Sequence, residues 1–440
     1  MTDTLPVMPT QAQLQATYGD AHPPLTPDQA LVEADRCYFC HDAPCVEACP
    51  TGIDIPGFIR AIATGNTSGA ATTILRENIF GGTCARVCPT EILCERACVR
   101  TVQEHRPVDI GALQRHATDW LMQRGLQPFT RATASGKRIA VVGAGPAGLS
   151  CAHALARNGH DVTVFEAKPK PGGLNEYGIA AYKMADDFAQ REVAFVVSLG
   201  GIAIRHGIGL GRDITLAALR DGFDAVFLGV GLGATNALGI EGETLPGVRD
   251  AVDFIAELRQ SPGGAAVPPR VVVIGGGNTA IDAATQASRL GADQVTIVYR
   301  RGPEHMSATP VEQDWAKTND VAIRHWSAPV RIVAVDGRAV GLEIVRTGGV
   351  REGEHSVLQA DLILKAIGQR LDPAPLEGSG LAMTGGRIAV DPATGATSLP
   401  GVFAGGDCIP GPDLTVHCVQ DGKRAAAAIH ALLTGGARNG

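Results

Sequence analysis

Eight of the eleven cysteines fall within the 62 residues from Cys37 to Cys98, in two tight groups. The first reads Cys37-x2-Cys40-x4-Cys45-x3-Cys49-Pro50 and the second Cys84-x3-Cys88-Pro89-x4-Cys94-x3-Cys98. Thiolates are soft ligands that suit iron–sulfur clusters or zinc. Zinc ribbons usually present paired Cys-x2-Cys knuckles, and only Cys37 and Cys40 have that spacing. The wider gaps, with proline after a ligand, come close to ferredoxin spacing, so the pattern favours iron. Eight ligands suggest two 4Fe-4S clusters. The last cysteine of a run can ligate the other cluster, so the spacing does not assign one group to each. A disulfide framework belongs to small secreted domains, and MTDTLPVMPT has neither a basic stretch nor an apolar run. Cys151, Cys408 and Cys418 lack a Cys-x2-Cys partner and read as small packed residues.

Two glycine loops follow. Gly143-Ala-Gly145-Pro146-Ala147-Gly148 comes directly after the strand RIAVV and opens a helix, the setting in which GxGxxG cradles a pyrophosphate. Glu166 ends the next strand, 18 residues after Gly148, where an acid can accept from a ribose 2′-hydroxyl. PGGL, with Gly173 and Leu174, and GVFAGGDC, with Gly406 and Asp407, resemble the pattern of flavoproteins with two dinucleotide sites, so the first loop is assigned to FAD. That resemblance places Asp407 near the ribityl or phosphate region and aims the N-terminus of a helix starting near Thr415 at the flavin ring.

The second loop, Gly275-Gly-Gly277-Asn278-Thr279-Ala280, follows RVVVI and is assigned to NAD(P)H. Its next strand ends at Arg300 and Arg301, where an acid would read an unphosphorylated ribose. Arginines there suit a 2′-phosphate, while a solvated arginine pair is also common at a strand end.

These residues must be positioned by more than one core, since 440 residues exceed a single ordinary domain. The periodicity predicts an extended arm over residues 1–30 and a helical iron–sulfur domain over 31–130. Helices are expected near Asp28–Arg36, Ile55–Ile62, Gly69–Arg76 and Ile110–Leu121, followed by a polar linker from Thr130 to Gly136. The fold class is α/β: a discontinuous FAD domain over 137–250 and 365–440, with an NAD(P)H domain inserted over 251–364, each built on a βαβ unit. SPGGAAVPP, ahead of the second unit, has linker composition. A net charge of -7 argues against nucleic acid as a partner. No stretch approaches the roughly 20 apolar residues of a membrane helix, so a cytoplasmic protein is expected.

The segments ADRCYFCHDAPCVEACPTGIDIPGFI, GGTCARVCPTEILCERAC and VDIGALQRHATD resemble the N-terminal domain of dihydropyrimidine dehydrogenases and, less closely, the small subunit of glutamate synthase. The first resemblance implies one cluster on Cys37, Cys40, Cys45 and Cys98. It implies a second on Cys49, Cys88, Cys94 and Gln114, leaving Cys84 as a buried thiol. On residue chemistry alone Gln114 reads as an ordinary helix glutamine. Glutamate synthase small subunits tend to carry glutamate there, and PGGLNEYGIAAYK also looks more like the pyrimidine enzyme than PGGLLRYGIP. In the mammalian-type enzyme a further arginine follows where this chain has Met306 and Ser307, so NADPH and NADH stand near even, with NADH slightly favoured. No barrel for FMN and pyrimidine is visible. The resemblance therefore implies an electron-input subunit in a hetero-oligomer with an FMN- and iron–sulfur-containing, pyrimidine-reducing partner. Hydride would go from NAD(P)H to FAD, and no side chain need act as acid or base. A glutamate synthase small subunit and a stand-alone electron carrier are the other two readings.

Overall fold

The structure, a computed structural model, describes residues 10, 14–15, 18–261 and 266–435. The chain divides into two compact units. One comprises His22–Asn175, Asp187–Gly233 and Leu371–Gly440; the other comprises Met1–Ala21, Glu176–Asp186 and Ala234–Arg370.

The first unit opens with helices. In α1 (Pro27–Ala34), Thr26 and Gln29 form a reciprocal capping box and proline takes the first turn, so the helix starts one residue ahead of the Asp28 expected. Asp54 caps α2 (Ile55–Ala63), Asn66 caps α3 (Thr67–Glu77), and Asp109 caps α5 (Ile110–Gln123). Between them lies α4 (Gly81–Val87). Helix α2 buries Ile55, Phe58, Ile59 and Ile62, the apolar stripe of a 3.6-residue period.

A parallel sheet follows: β1 (Arg138–Val142), α6 (Pro146–Arg157), β2 (Asp161–Glu166), α7 (Phe188–Val197), β3 (Ile202–His206) and β4 (Ala225–Leu228). Four consecutive residues of β1 and all of β4 are buried, as strands covered on both faces require. The chain then enters the second unit at Ala234; that unit holds α8 (Ala251–Gln260) and its own parallel sheet. That sheet contains β5 (Val248–Asp250), β6 (Arg270–Gly275), α9 (Asn278–Arg289), β7 (Gln294–Val298), α10 (Pro310–Thr318) and β8 (Val321–Arg324). A three-stranded antiparallel sheet of β9 (Ser327–Val335), β10 (Arg338–Arg346) and β11 (His355–Gln359) precedes β12 (Leu362–Ala366). Finally β13 (Val402–Ala404) and α11 (Thr415–Leu433) return to the first unit.

Strand order is β13-β4-β1-β2-β3 in the first parallel sheet and β5-β12-β6-β7-β8 in the second. The last-made strand of each sits beyond the first βαβ, and the expected α/β class with one nucleotide fold inserted in another is borne out.

Three features differ from the sequence reading. The iron–sulfur helices and the first sheet share one apolar core, running from Ala30, Phe58 and Leu113 to Ile139, Leu149 and Ile429. Residues 130–136 are accordingly no free linker: Ala132 and Ser135 donate to the carbonyls of Arg157 and Gly159 (both 2.9 Å). The N-terminal arm, where described, is not extended. Leu14 makes a helical hydrogen bond to Thr10 (2.9 Å) and packs on the core of the second unit, because its apolar side chain finds cover there. The edges of that unit, Ala234 and Arg370, lie outside the 251–364 read from the sequence. Part of SPGGAAVPP, residues 262–265, lies outside the described residues. No described helix is long and apolar enough to cross a membrane.

Candidate redox site

Helix α1 delivers the chain into a tight loop. Phe39 (φ +50°) and Ala43 (φ +36°) take left-handed conformations there, and the Phe39 N–H donates to the Cys37 Sγ at 3.4 Å. Cys37, Cys40, Cys45 and Cys98 together line a cavity of about 30 Å³ whose walls include Ile55, Ile59, Val108 and Ile110. The fourth thiol thus comes from the second sequence group. Burial, then the Cys37 and Cys98 thiols, pushes Cys45 up to about 12. The Cys45 thiol therefore holds its proton, and iron must displace it on binding. A thiol quartet around an apolar hollow fits an iron–sulfur cluster. Among the described residues no three His, Cys, Asp or Glu close around one point as a single ion requires. Tetrahedral zinc needs its sulfurs about 2.3 Å from one centre.

In the second group Cys84 lies within α4 and Cys88 caps its C-terminal end. A hydrogen bond with the Cys84 thiol raises Cys88 above its ordinary value, followed by burial and by Cys94 and Cys49 as electrostatic neighbours. Burial raises Cys94, with Glu95 and Cys49 adding to it. Gln114, on the buried face of α5, donates through Nε2 to the Gly81 carbonyl at 2.7 Å, which leaves Oε1 as its acceptor atom. Cys84, four residues before Cys88, is buried.

The first glycine loop is built for close approach. Gly143 has φ +96°, and a side chain there would strike the Gly229 carbonyl; one on Gly148 would strike the Gly143 carbonyl. Gly145 ends the loop in extended backbone, and Pro146 takes the first turn of α6 followed by buried Ala147. Gly173 lies so near that a side chain on it would stand 2.8 Å from the Gly145 Cα, and Leu174 opens the next short helix. Glu166 is buried and accepts from the backbone N–H groups of Ala144 (2.8 Å) and Lys168 (2.7 Å). Across the sheet Gly406 donates to Asp421 at 3.0 Å. Burial raises the Asp407 carboxyl, which accepts from the Cys418 thiol at 3.1 Å. Thr415 donates to Asn175 Oδ1 at 3.0 Å, while the buried Asn175 Nδ2 has no partner. An orphaned amide between PGGL and the start of α11 fits a polar cofactor such as FAD. Sequence reading passed over Asn175; its place directly after PGGL was the available signal.

In the second unit Gly275 (φ +147°) touches the Ala366 carbonyl and Gly277 precedes α9, whose Asn278 Oδ1 is buried without a partner. Thr279 and the fully buried Ala280 continue that turn. The backbone N–H groups at a glycine-loop helix start fit a nucleotide phosphate, and the unpaired Oδ1, an acceptor, fits a nucleotide hydroxyl or amide donor. Arg300 and Arg301 are exposed, with the Arg301 guanidinium 5.6 Å over the Tyr299 ring. A largely buried ion cluster on the same unit carries no motif that reading the chain could find: Lys183 bridges Asp282 (2.9 Å) and the half-buried Glu312 (2.6 Å), and Tyr182 donates to Asp282 at 3.2 Å.

Residues 137–422 match the pyridine nucleotide-disulphide oxidoreductase family, and residues 14–126 match dihydropyrimidine dehydrogenase domain II, 4Fe-4S cluster. The chain is 37% identical to NAD-dependent dihydropyrimidine dehydrogenase subunit PreT of Salmonella typhimurium, over 93% of this chain and 96% of that protein. The same identity holds for PreT of Escherichia coli, over 94% and 96%. NADP(+)-dependent formate dehydrogenase subunit beta of Moorella thermoacetica is 35% identical over 90% of this chain and 60% of that protein. T. acidophilum thioredoxin reductase shares the fold at TM-score 0.53 and 24% identity, over 67% of this chain and 98% of that one. Mycobacterium tuberculosis FprA in complex with NADPH does so at TM-score 0.56 and 20% identity, over 69% and 85%. The resemblance read from the cysteine segments is borne out: the chain is an iron–sulfur and nicotinamide-dependent oxidoreductase, and it belongs to the family of NAD-dependent dihydropyrimidine dehydrogenase PreT subunits.

Proposed function

We propose that this chain oxidises NADH at an FAD site and passes the electrons through two 4Fe-4S clusters to a partner subunit that reduces uracil or thymine to the 5,6-dihydropyrimidine. The observation that carries the reading is the quartet Cys37, Cys40, Cys45 and Cys98 around one cavity, in the same apolar core as the first glycine-loop sheet. When bound, FAD accepts a hydride and releases electrons singly, and the clusters carry one each. The chain's own residues do the rest. Gly143, Gly145 and Gly148 let backbone N–H groups approach the FAD pyrophosphate, with Pro146 and Ala147 opening the helix behind it. Glu166 holds a ribose hydroxyl, Gly173, Leu174, Gly406 and Asp407 shape the flavin side, and Thr415 with Asn175 offers it hydrogen bonds. Gly275, Gly277, Asn278 and Thr279 receive the nicotinamide nucleotide. The second cluster takes Cys49, Cys88, Cys94 and Gln114, the set that the dihydropyrimidine dehydrogenase resemblance implies, with Cys84 left as a buried thiol.

NADH is preferred as donor, because Arg300 and Arg301 both stand in solvent and Arg301 lies over Tyr299. Reduced nicotinamide and reduced thiols both belong to the cytoplasm. The partner is an FMN- and iron–sulfur-containing chain, and the functional form is a hetero-oligomer. The formate dehydrogenase relative supports a narrower second reading, in which this electron-input module serves a different partner. The test is anaerobic nucleotide oxidation by the chain purified with its native partner, with uracil in one cuvette and glutamine plus 2-oxoglutarate in the other. Turnover with uracil alone is expected. Turnover only with glutamine and 2-oxoglutarate would move the chain to glutamate synthase chemistry.

A further inference from the structure

Lys423 sits eight residues into α11, the helix that begins at the flavin side with Thr415. Its Nζ donates to the Glu77 carbonyl (2.7 Å), to Glu77 Oε2 (2.8 Å) and to the Thr51 carbonyl (3.4 Å). Thr51 is buried, and its hydroxyl meets the Cys49 Sγ at 3.4 Å. Two hydrogen-bonded steps therefore connect a cysteine of the second cluster to a helix of the flavin-type fold. The same helix is fixed against α6: Gly422 leaves no room for a side chain beside Ala147 and Cys151, and Ser150 donates to the Val419 carbonyl at 2.9 Å.

We infer that Lys423 is a positioning residue for electron transfer, clamping the Cys49–Thr51 turn to α11 and supplying the fixed positive charge that favours the reduced form of the Cys49 cluster. The inference rests on the reading that Cys49 is a cluster ligand. Each electron delivered from the reduced nicotinamide adds one negative charge to the cluster, with no proton taken up. A nearby ammonium stabilises that added charge, and the Glu77 carboxylate partly offsets it. The two residues should therefore act with opposite signs, which a purely structural contact would not do.

The test is an EPR-monitored redox titration of the full chain, reconstituted anaerobically, with iron, sulfide and flavin content measured on every variant. Lys423→Met is expected to lower the potential of one cluster signal, shifting its reduction equilibrium about tenfold, or about 59 mV for one electron. Lys423→Arg should restore it, and Glu77→Gln, which keeps the backbone carbonyl, should shift the same signal upward. Fully loaded variants with unshifted potentials would overturn the inference alone. A Lys423→Met chain that loses iron leaves Glu77→Gln to decide by its sign, and a downward or absent shift there overturns the inference. A wild-type chain that holds only one cluster overturns the ligand reading beneath it.

Discussion

Cysteine type and spacing announce iron, yet spacing along a chain cannot say which thiols share a cluster. That is decided where Cys98 folds back beside Cys37, Cys40 and Cys45. Cys98→Ser is predicted to remove one cluster, roughly four iron per chain, while Cys84→Ser keeps the iron content of wild type; iron and acid-labile sulfide assays check both. The glycine loops were legible because each needs a residue without a side chain. Gly148→Val would drive its side chain into the Gly143 carbonyl. It should yield a chain without bound flavin and less stable by about 1–3 kcal/mol, measured by absorbance and thermal unfolding. Arg301→Ala should leave kcat/KM for NADH within about twofold, since the exposed guanidinium reads no 2′-phosphate in this account. Asn175, Lys183 and Lys423 escaped the sequence reading because an isolated amide or lysine carries no pattern until the fold supplies its neighbours.

Helix limits were legible where a cap residue precedes an apolar stripe, as at Asp54 and Asp109, and the predicted starts at Ile55 and Ile110 agree with the structure. The junction of α4 and α7 was not legible. There Glu192 is fully buried and accepts from the Thr83 backbone N–H (2.9 Å) and from the Thr83 hydroxyl. The Arg86 guanidinium lies 3.5 Å over the Phe188 ring in the same junction. Burial pushes Glu192 up to about 7, against the hydrogen bonds from Thr83 and the charge of Arg86. Because its folded value exceeds the ordinary 4.5, the carboxyl's contribution is fully present below pH 4.5 and is lost as pH rises through 7. The whole change is on the order of 3 kcal/mol. Glu192→Gln cannot titrate, so its melting temperature relative to wild type should climb between pH 5.5 and 8. A difference that stays flat over that range would contradict the burial account.

For the molecule as a whole, the two nucleotide folds and their nesting were readable from two βαβ signatures and a closing Gly-Asp segment. The fusion of the iron–sulfur helices with the first sheet was not, since its apolar residues are ordinary core residues in sequence. That fusion, in a shared core containing Ala30, Leu113 and Ile139, gives the central claim its physical basis: the cysteine-bearing helices and the first glycine loop belong to one compact unit. The most direct test is anaerobic reduction of the isolated chain by NADH, followed by absorbance and EPR with the iron counted. The account predicts roughly eight iron per chain, bleaching of flavin, and an iron–sulfur EPR signal on adding NADH alone. Flavin that bleaches while the clusters stay oxidised, or a chain holding about four iron, would contradict it.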